Sequence, residues 1–212
     1  MGLPSNVTVS KHPLAAQRVS ELRRVGISAR QARELTDGIG RLLMYEATQD
    51  MGLAATHEEQ SPLGPYMGSA LAQRQALVPI LRSGLGLLAA ASDYLPDAQI
   101  HHLGLFREEA TLQPVEYYNK LPRVCPVHRC FILDPMIATG GTAEAAIQIL
   151  KDWRAPHISF VAVCASRAGL AKVATAHPDV RFFVAAVDDD LDSRGLVVPG
   201  IGDCGDRLNN TV

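Results

Sequence analysis

Between residues 76 and 187 short apolar runs alternate with amphipathic segments, and this rhythm restricts the fold more than any other feature of the chain. "ALVPIL", "AQIHHLGLF", "RCFILD", "HISFVAVCA" and "VRFFVAAV" read as strands, whereas "GLGLLAAASDYL", "TAEAAIQILKDW" and "RAGLAKVATAH" read as helices. Strands separated by helices of about 10 to 15 residues form βαβ units. The fold class expected is α/β, a mostly parallel central sheet flanked by helices. In such a sheet ligands bind beyond the carboxyl ends of the strands. Three expected strand ends carry polar chemistry, Arg82-Ser83-Gly84, Arg107-Glu108-Glu109 and Asp134 to Thr142, and they should converge on one side of the sheet.

The flanking segments add detail. The first fifty residues read as helices: "HPLAAQRVSELRRV" has a proline start, and Ser28 can cap "ARQARELTDGIGRLLMYEAT". In the second segment Ala32, Leu35, Ile39, Leu42 and Leu43 form one apolar stripe. Residues 50 to 75, rich in Gly, Pro and Ser, read as a loop or short β-excursion, and the polar stretch 107–122 as an inserted β-arm or loop. From 188 to 212 the chain is too rich in Gly and Asp to continue the alternation. At 212 residues, one domain over 1–212 is expected.

Composition excludes several classes of function. A net charge of −2 points away from nucleic-acid partners, which select basic surfaces. No apolar run approaches the roughly 20 residues needed to cross a bilayer. The opening "MGLPSNVTVSKHPL" shows neither a basic nor an apolar leader region, and Asn6 stands where a myristoylation signal needs Ser or Thr. Four cysteines without CxxC spacing read as reduced thiols, so a cytoplasmic protein is expected. Cys125, His128 and Cys130 have ligand chemistry but not zinc spacing, and no fourth partner is evident. His101 and His102 are adjacent in an expected strand, so they point to opposite faces and cannot share an ion. No protein-held metal site is expected.

"FILDPMIATGGTAEAAIQIL" carries the sharpest chemistry. Gly140 and Gly141 allow backbone N–H groups to approach a ligand, and a helix starting near Thr142 adds its positive end. With the hydroxyls of Thr139 and Thr142 this makes an anion cradle suited to phosphate. It is not a Walker loop, because the lysine is missing. Asp134 would repel the phosphate itself but fits vicinal hydroxyls a few ångströms away, as on a ribose 5-phosphate. The plain alternative is a β-turn-α connection with Asp134 as a cap. "GLGLLA", Gly84 to Ala89, formally matches a dinucleotide fingerprint with Glu108 downstream, but Pro79 interrupts its strand and Arg82 stands at the tip. A calcium loop beginning at Asp190 would put Arg194 fifth and Ile201 twelfth, which rules it out.

The stretch "DPMIATGGT" resembles the phosphoribosyl-pyrophosphate (PRPP) motif of type I phosphoribosyltransferases, in the form found in the uracil phosphoribosyltransferase family. "KHPL", "YEAT", "VPILRSGLG", "FREEATLQPVEYYNKLP", "HPDV" and "VVPGIGDCGDR" resemble that family's blocks in the same order, over nearly the whole chain. The resemblance implies that uracil and PRPP are converted to UMP and diphosphate. It implies that Arg82, Arg107 and Asp203 contact PRPP, and that Asp134, Pro135, Met136, Ile137, Ala138, Thr139, Gly140, Gly141 and Thr142 hold its ribose 5-phosphate. Val197, Gly202, Asp203 and Cys204 match the uracil-contacting positions, making 188–212 a base-binding segment. Asp203 and Arg107 are the residues to which catalytic assistance is assigned. Also implied are Mg²⁺ carried by PRPP, a homodimer or higher homo-oligomer and, in some bacterial members, activation by GTP. Leu196 replaces a usual Tyr, Cys204 a usual Ala, "RLNNT" the usual Arg-x-Phe-Gly-Thr, and "ASRAGL" lacks the common acid before its Gly. A PRPP- or nucleotide-sensing regulator on the same fold is the alternative class.

Overall fold

The computed structural model describes residues 2–107 and 114–211. The chain opens with a short strand β1 (Val7–Val9), then α1 (Pro13–Leu22) and α2 (Ala29–Ala47). Ser28 and Gln31 form a reciprocal capping box at the start of α2, and Ala32, Ile39 and Leu43 of its stripe are buried. An antiparallel hairpin follows, β2 (Leu53–Ser61) and β3 (Gly64–Leu71), considerably longer than the short excursion expected there. Leu53, Leu63, Tyr66, Met67 and Leu71 on it are exposed.

The alternating region then unfolds as β4 (Gln75–Leu81), α3 (Leu85–Tyr94), β5 (Gln99–Ile100), β6 (Leu103–Arg107), β7 (Pro114–Asn119), β8 (Arg129–Leu133), β9 (Met136–Ile137), α4 (Gly141–Asp152), β10 (His157–Ser166), α5 (Arg167–Ala176) and β11 (Arg181–Asp188). The tail holds β12 (Asp190–Leu191), β13 (Val197–Val198) and α6 (Cys204–Asn209), a short helix inside the segment read as irregular. The main sheet runs β1-β11-β10-β8-β4-β6-β7, with β5 on β4 and β9 on β10. Every pairing is parallel except β6 with β7.

Period-two alternation divides the sheet between two apolar layers. Leu77, Phe131, Leu133, Val161, Val163 and Phe183 pack under α1, α2 and α3, while Val78, Ile80, Ile132, Phe160 and Phe182 pack under α4 and α5. Phe131, Phe160, Phe182 and Phe183 are fully buried, each contributing on the order of 2–3 kcal/mol.

Two further expectations change. "AQIHHLGLF" is not one strand: His101 and His102 fall between β5 and β6. The Leu77 carbonyl accepts from the His101 N–H on that side of β4, so period two turns Pro79 the same way, with no N–H to extend the ladder. The first fifty residues also supply an edge strand, β1, besides helices. The 107–122 insertion gives the antiparallel strand β7, with Arg107 opposite Pro114.

Candidate active site

From β6 through β4 and β8 to β10 and β11, chain order reverses between β4 and β8, the switch point at which open α/β sheets bind ligands. The chain leaving β4 and the chain leaving β8 meet there: Ser83 Oγ donates to Asp134 Oδ1 at 2.8 Å. Around this contact lies a cleft of about 260 Å³ lined by Ser83, Asp134, Met136 to Ala143, Gly195, Leu196 and Gly202 to Gly205.

One side of the cleft is the 134–142 loop. Asp134 donates its N–H to the Val161 carbonyl at 3.2 Å, and the Pro135 carbonyl accepts from Val163 and Cys164 at 3.0 Å each. Gly140 takes φ 84° at the start of α4, and no side chain caps the helix. The N–H groups of Gly141, Thr142 and Ala143 therefore have no intrahelical partner, a geometry that can accept an anion. The loop lies against α5: a Cβ on Gly169 would stand 2.0 Å from the Ala138 carbonyl oxygen. Ser166 Oγ fixes this approach by donating to that oxygen at 2.5 Å and accepting the Gly169 N–H at 2.9 Å. Asp134 is buried, and burial lifts its pKa to about 7 against the opposing hydrogen bonds from Ser83 and the Met136 backbone.

The opposite side comes from the tail. Asp203 caps α6, accepting the Asp206 N–H at 3.0 Å, and Cys204 is buried behind it. Burial pushes the Cys204 thiol well above its ordinary range, with the charges of Asp134 and Asp203 adding to the effect. The segment is tied to the body by Arg23, whose two guanidinium nitrogens each donate to Asp188 at 2.7 Å and one also to the Gly200 carbonyl at 2.8 Å. Asp188 further accepts from the Cys164 thiol at 3.2 Å and the Gly200 N–H at 3.0 Å.

The cleft thus gathers Asp134, Met136, Ile137, Ala138, Thr139, Gly140, Gly141, Thr142, Gly202, Asp203 and Cys204 of the expected set. Pro135 and Val197 do not line it. Pro135 anchors the loop to β10, and Val197 is buried in the core. Arg82 lies exposed at the end of β4, 3.4 Å from Asp206. Arg107 ends β6, but its side chain lies outside the described residues, as do Glu108 and Glu109. The glycines of "GLGLLA" have a packing reason: a Cβ on Gly84 would meet the Leu133 carbonyl oxygen at 2.3 Å. Cys130 is buried in β8, and Cys125 donates to the Val127 carbonyl. Sequence reasoning put Ser83 at a polar strand end without giving it a role, and missed Ser166 and the Arg23–Asp188 tie. Ser166 was legible as the residue ahead of a helix, but its reach to Ala138 was not.

An open, mostly parallel sheet with a strand, a lone aspartate, a glycine turn and an uncapped helix at its switch point defines the type I phosphoribosyltransferase class. Comparison with known proteins agrees. A solved adenine phosphoribosyltransferase from Trypanosoma brucei shares the fold at a TM-score of 0.54 and 15% identity, covering 87% of this chain and 84% of its own. The sequence profile "Uracil phosphoribosyltransferase" matches residues 9–211. The uracil phosphoribosyltransferase of Roseiflexus castenholzii is 47% identical over 205 residues, 97% of this chain and 98% of that one. The structure of protein AQ2163 from Aquifex aeolicus superposes with a TM-score of 0.89 at 34% identity, covering 95% of this chain and 97% of its own. The chain belongs to the uracil phosphoribosyltransferase family.

Proposed function

We propose that this chain transfers the 5-phosphoribosyl group of PRPP to N1 of uracil, releasing diphosphate and forming UMP. The observation that supports this most is that the uncapped start of α4 and the glycine-rich 202–205 turn face one cleft that also holds the buried Asp134. The 5-phosphate would sit on the N–H groups of Gly141, Thr142 and Ala143, with Thr139 and Thr142 adding hydroxyls. Ionised Asp134 would accept from the two ribose hydroxyls. Uracil presents an acceptor, a donor and an acceptor along one edge, which main-chain groups of Gly202 to Cys204 can match.

In the reaction the bond from C1′ to the diphosphate oxygen breaks, the bond to N1 forms and N1 loses its proton. The oxocarbenium-like state between needs positioning and charge stabilisation rather than a protein nucleophile. Arg82 and Arg107, at the ends of adjacent strands, would hold the departing diphosphate, and Asp203 would assist loss of the N1 proton. Among the described residues no group of three or more His, Cys, Asp or Glu side chains forms a metal cage. An Mg²⁺ carried by PRPP would be held chiefly by substrate oxygens, with the cleft-lining Asp203 as the protein carboxylate available to it. When bound, the metal would offset charge on the diphosphate.

The β2–β3 hairpin supports self-association. Two strands alone are marginal in water, and this pair exposes Leu53, Tyr66, Met67 and Leu71, surface a second copy would cover. The cysteines described are all free, which suits a reducing, cytoplasmic setting. Calorimetry tests the ligand class: PRPP with Mg²⁺ should bind and NAD should not, and NAD binding without PRPP binding would overturn the reading.

A further inference from the structure

Ser83 places a hydroxyl in the cleft that the chemistry above does not use. It leaves β4 just as the chain turns into α3, and its Oγ reaches across the switch point to Asp134 Oδ1 at 2.8 Å. The Met136 backbone N–H is the other hydrogen-bond donor to the Asp134 carboxyl, and from α6 the buried Cys204 thiol feels the charges of both Asp134 and Asp203.

We infer that Ser83 is a positioning residue for the transfer reaction, its hydroxyl holding Asp134 ionised and oriented so that both carboxylate oxygens can accept from a vicinal diol. The inference rests on reading Asp134 as the partner of the ribose hydroxyls. An ionised carboxylate only accepts, whereas a protonated one carries a donor that competes with the diol's own O–H groups. Burial favours the protonated form at this position, and the pKa of about 7 places the balance near neutrality. A hydrogen bond donated to the charged form opposes burial. Ser83 and Met136 supply the two such bonds, and of these only the Ser83 bond comes from a side chain.

If PRPP selects ionised Asp134, kcat/KM for PRPP rises as pH increases through about 7. Deleting the Ser83 hydroxyl weakens the ionised state and moves that midpoint upward. A shift of about one pH unit makes the variant roughly fivefold worse near neutrality and nearly equal to wild type two units higher.

The test is kcat/KM for PRPP across about pH 6 to 9 for the wild type, Ser83→Ala, Ser83→Cys, Ser83→Thr and Asp134→Asn. In parallel, NMR would follow the Asp134 carboxyl carbon in the free protein. Ser83→Ala should raise the midpoint in both readouts, Ser83→Cys, a weaker donor, should raise it less, and Ser83→Thr should restore it. An equal loss at every pH with an unmoved midpoint would mean that Ser83 only packs, and would overturn the inference. Wild-type kinetics in Asp134→Asn would overturn the reading of Asp134 itself. An impaired Asp134→Asn beside an unmoved Ser83→Ala midpoint would sink the Ser83 inference alone.

Discussion

The two walls of the cleft are held by different means. The wall at 134–142 is contiguous in sequence, and its backbone is laced to the sheet through Asp134, Pro135 and the pairing of Met136 and Ile137 with Cys164 and Ala165. The wall at 195–205 has only a two-residue strand and the start of a six-residue helix. It depends on side chains from the N-terminal helices: Arg23 on Asp188 and Gly200, and Arg33 on the Leu208 carbonyl at 2.7 Å. Arg207 returns the tie, donating to the Arg24 carbonyl at 2.9 Å. A main-chain wall fails when its backbone is displaced. A wall hung on side chains fails when one charge is removed.

The largest effect should come from displacing the first wall. Gly169→Ala puts a Cβ into the Ala138 carbonyl, an atom that Ser166 also grips, so the loop must move. Misplacement of about 1 Å in a positioned site costs on the order of 10²-fold, so kcat/KM for PRPP should fall at least that far. Near-normal PRPP kinetics in this variant would mean that the loop does not need α5 behind it.

Arg23→Ala attacks the second wall. It leaves Asp188, only 9% exposed, without its bidentate partner, and should cost about 3 kcal/mol in urea unfolding. Uracil KM should rise while PRPP KM changes little; equal changes in both would erase the distinction between the walls. Burial is the largest single influence on the Asp188 carboxyl and would lift it, but the hydrogen bonds from Arg23, Cys164 and the Gly200 N–H, with the Arg23 charge, together outweigh it, and the group lies below the usual carboxylate range. A depressed carboxylate contributes stability that is present above its ordinary pKa of about 3.9 and is lost as pH falls through the folded value. Acid should therefore erode wild-type stability more steeply than that of Arg23→Ala.

Cys204→Ala should do least. The buried thiol packs against the core, and the change keeps the amide that faces the cleft, so uracil kinetics should hold while stability falls by about 1 kcal/mol. An inactive variant would show that the sulfur itself reads the base.

The same contrast explains what the sequence disclosed. The 134–142 loop and the helix start beyond it were legible because their parts are neighbours in the chain: an apolar run, one aspartate, two glycines and a helical period. The βαβ alternation was legible for the same reason, since each unit is local. Contacts between distant residues were not. Arg23 reads as a solvated helix-end charge, and nothing nearby signals that it grips Asp188 some 165 positions later. Ser83 sat inside a recognised strand end, yet only the switch point brings it to Asp134. Residues 53–71 were under-read because Gly, Pro and Ser signal a turn without revealing how long the flanking strands are.

Initial rates of UMP formation from PRPP, Mg²⁺ and labelled uracil, compared with cytosine, test the account most directly. Cytosine inverts two of the three edge groups, and a site built from hydrogen bonds to that edge can reject it by roughly 10⁴ to 10⁵. The account predicts rapid UMP formation with uracil and rejection of cytosine on that scale. Failure to form UMP, or comparable rates with the two bases, would contradict it.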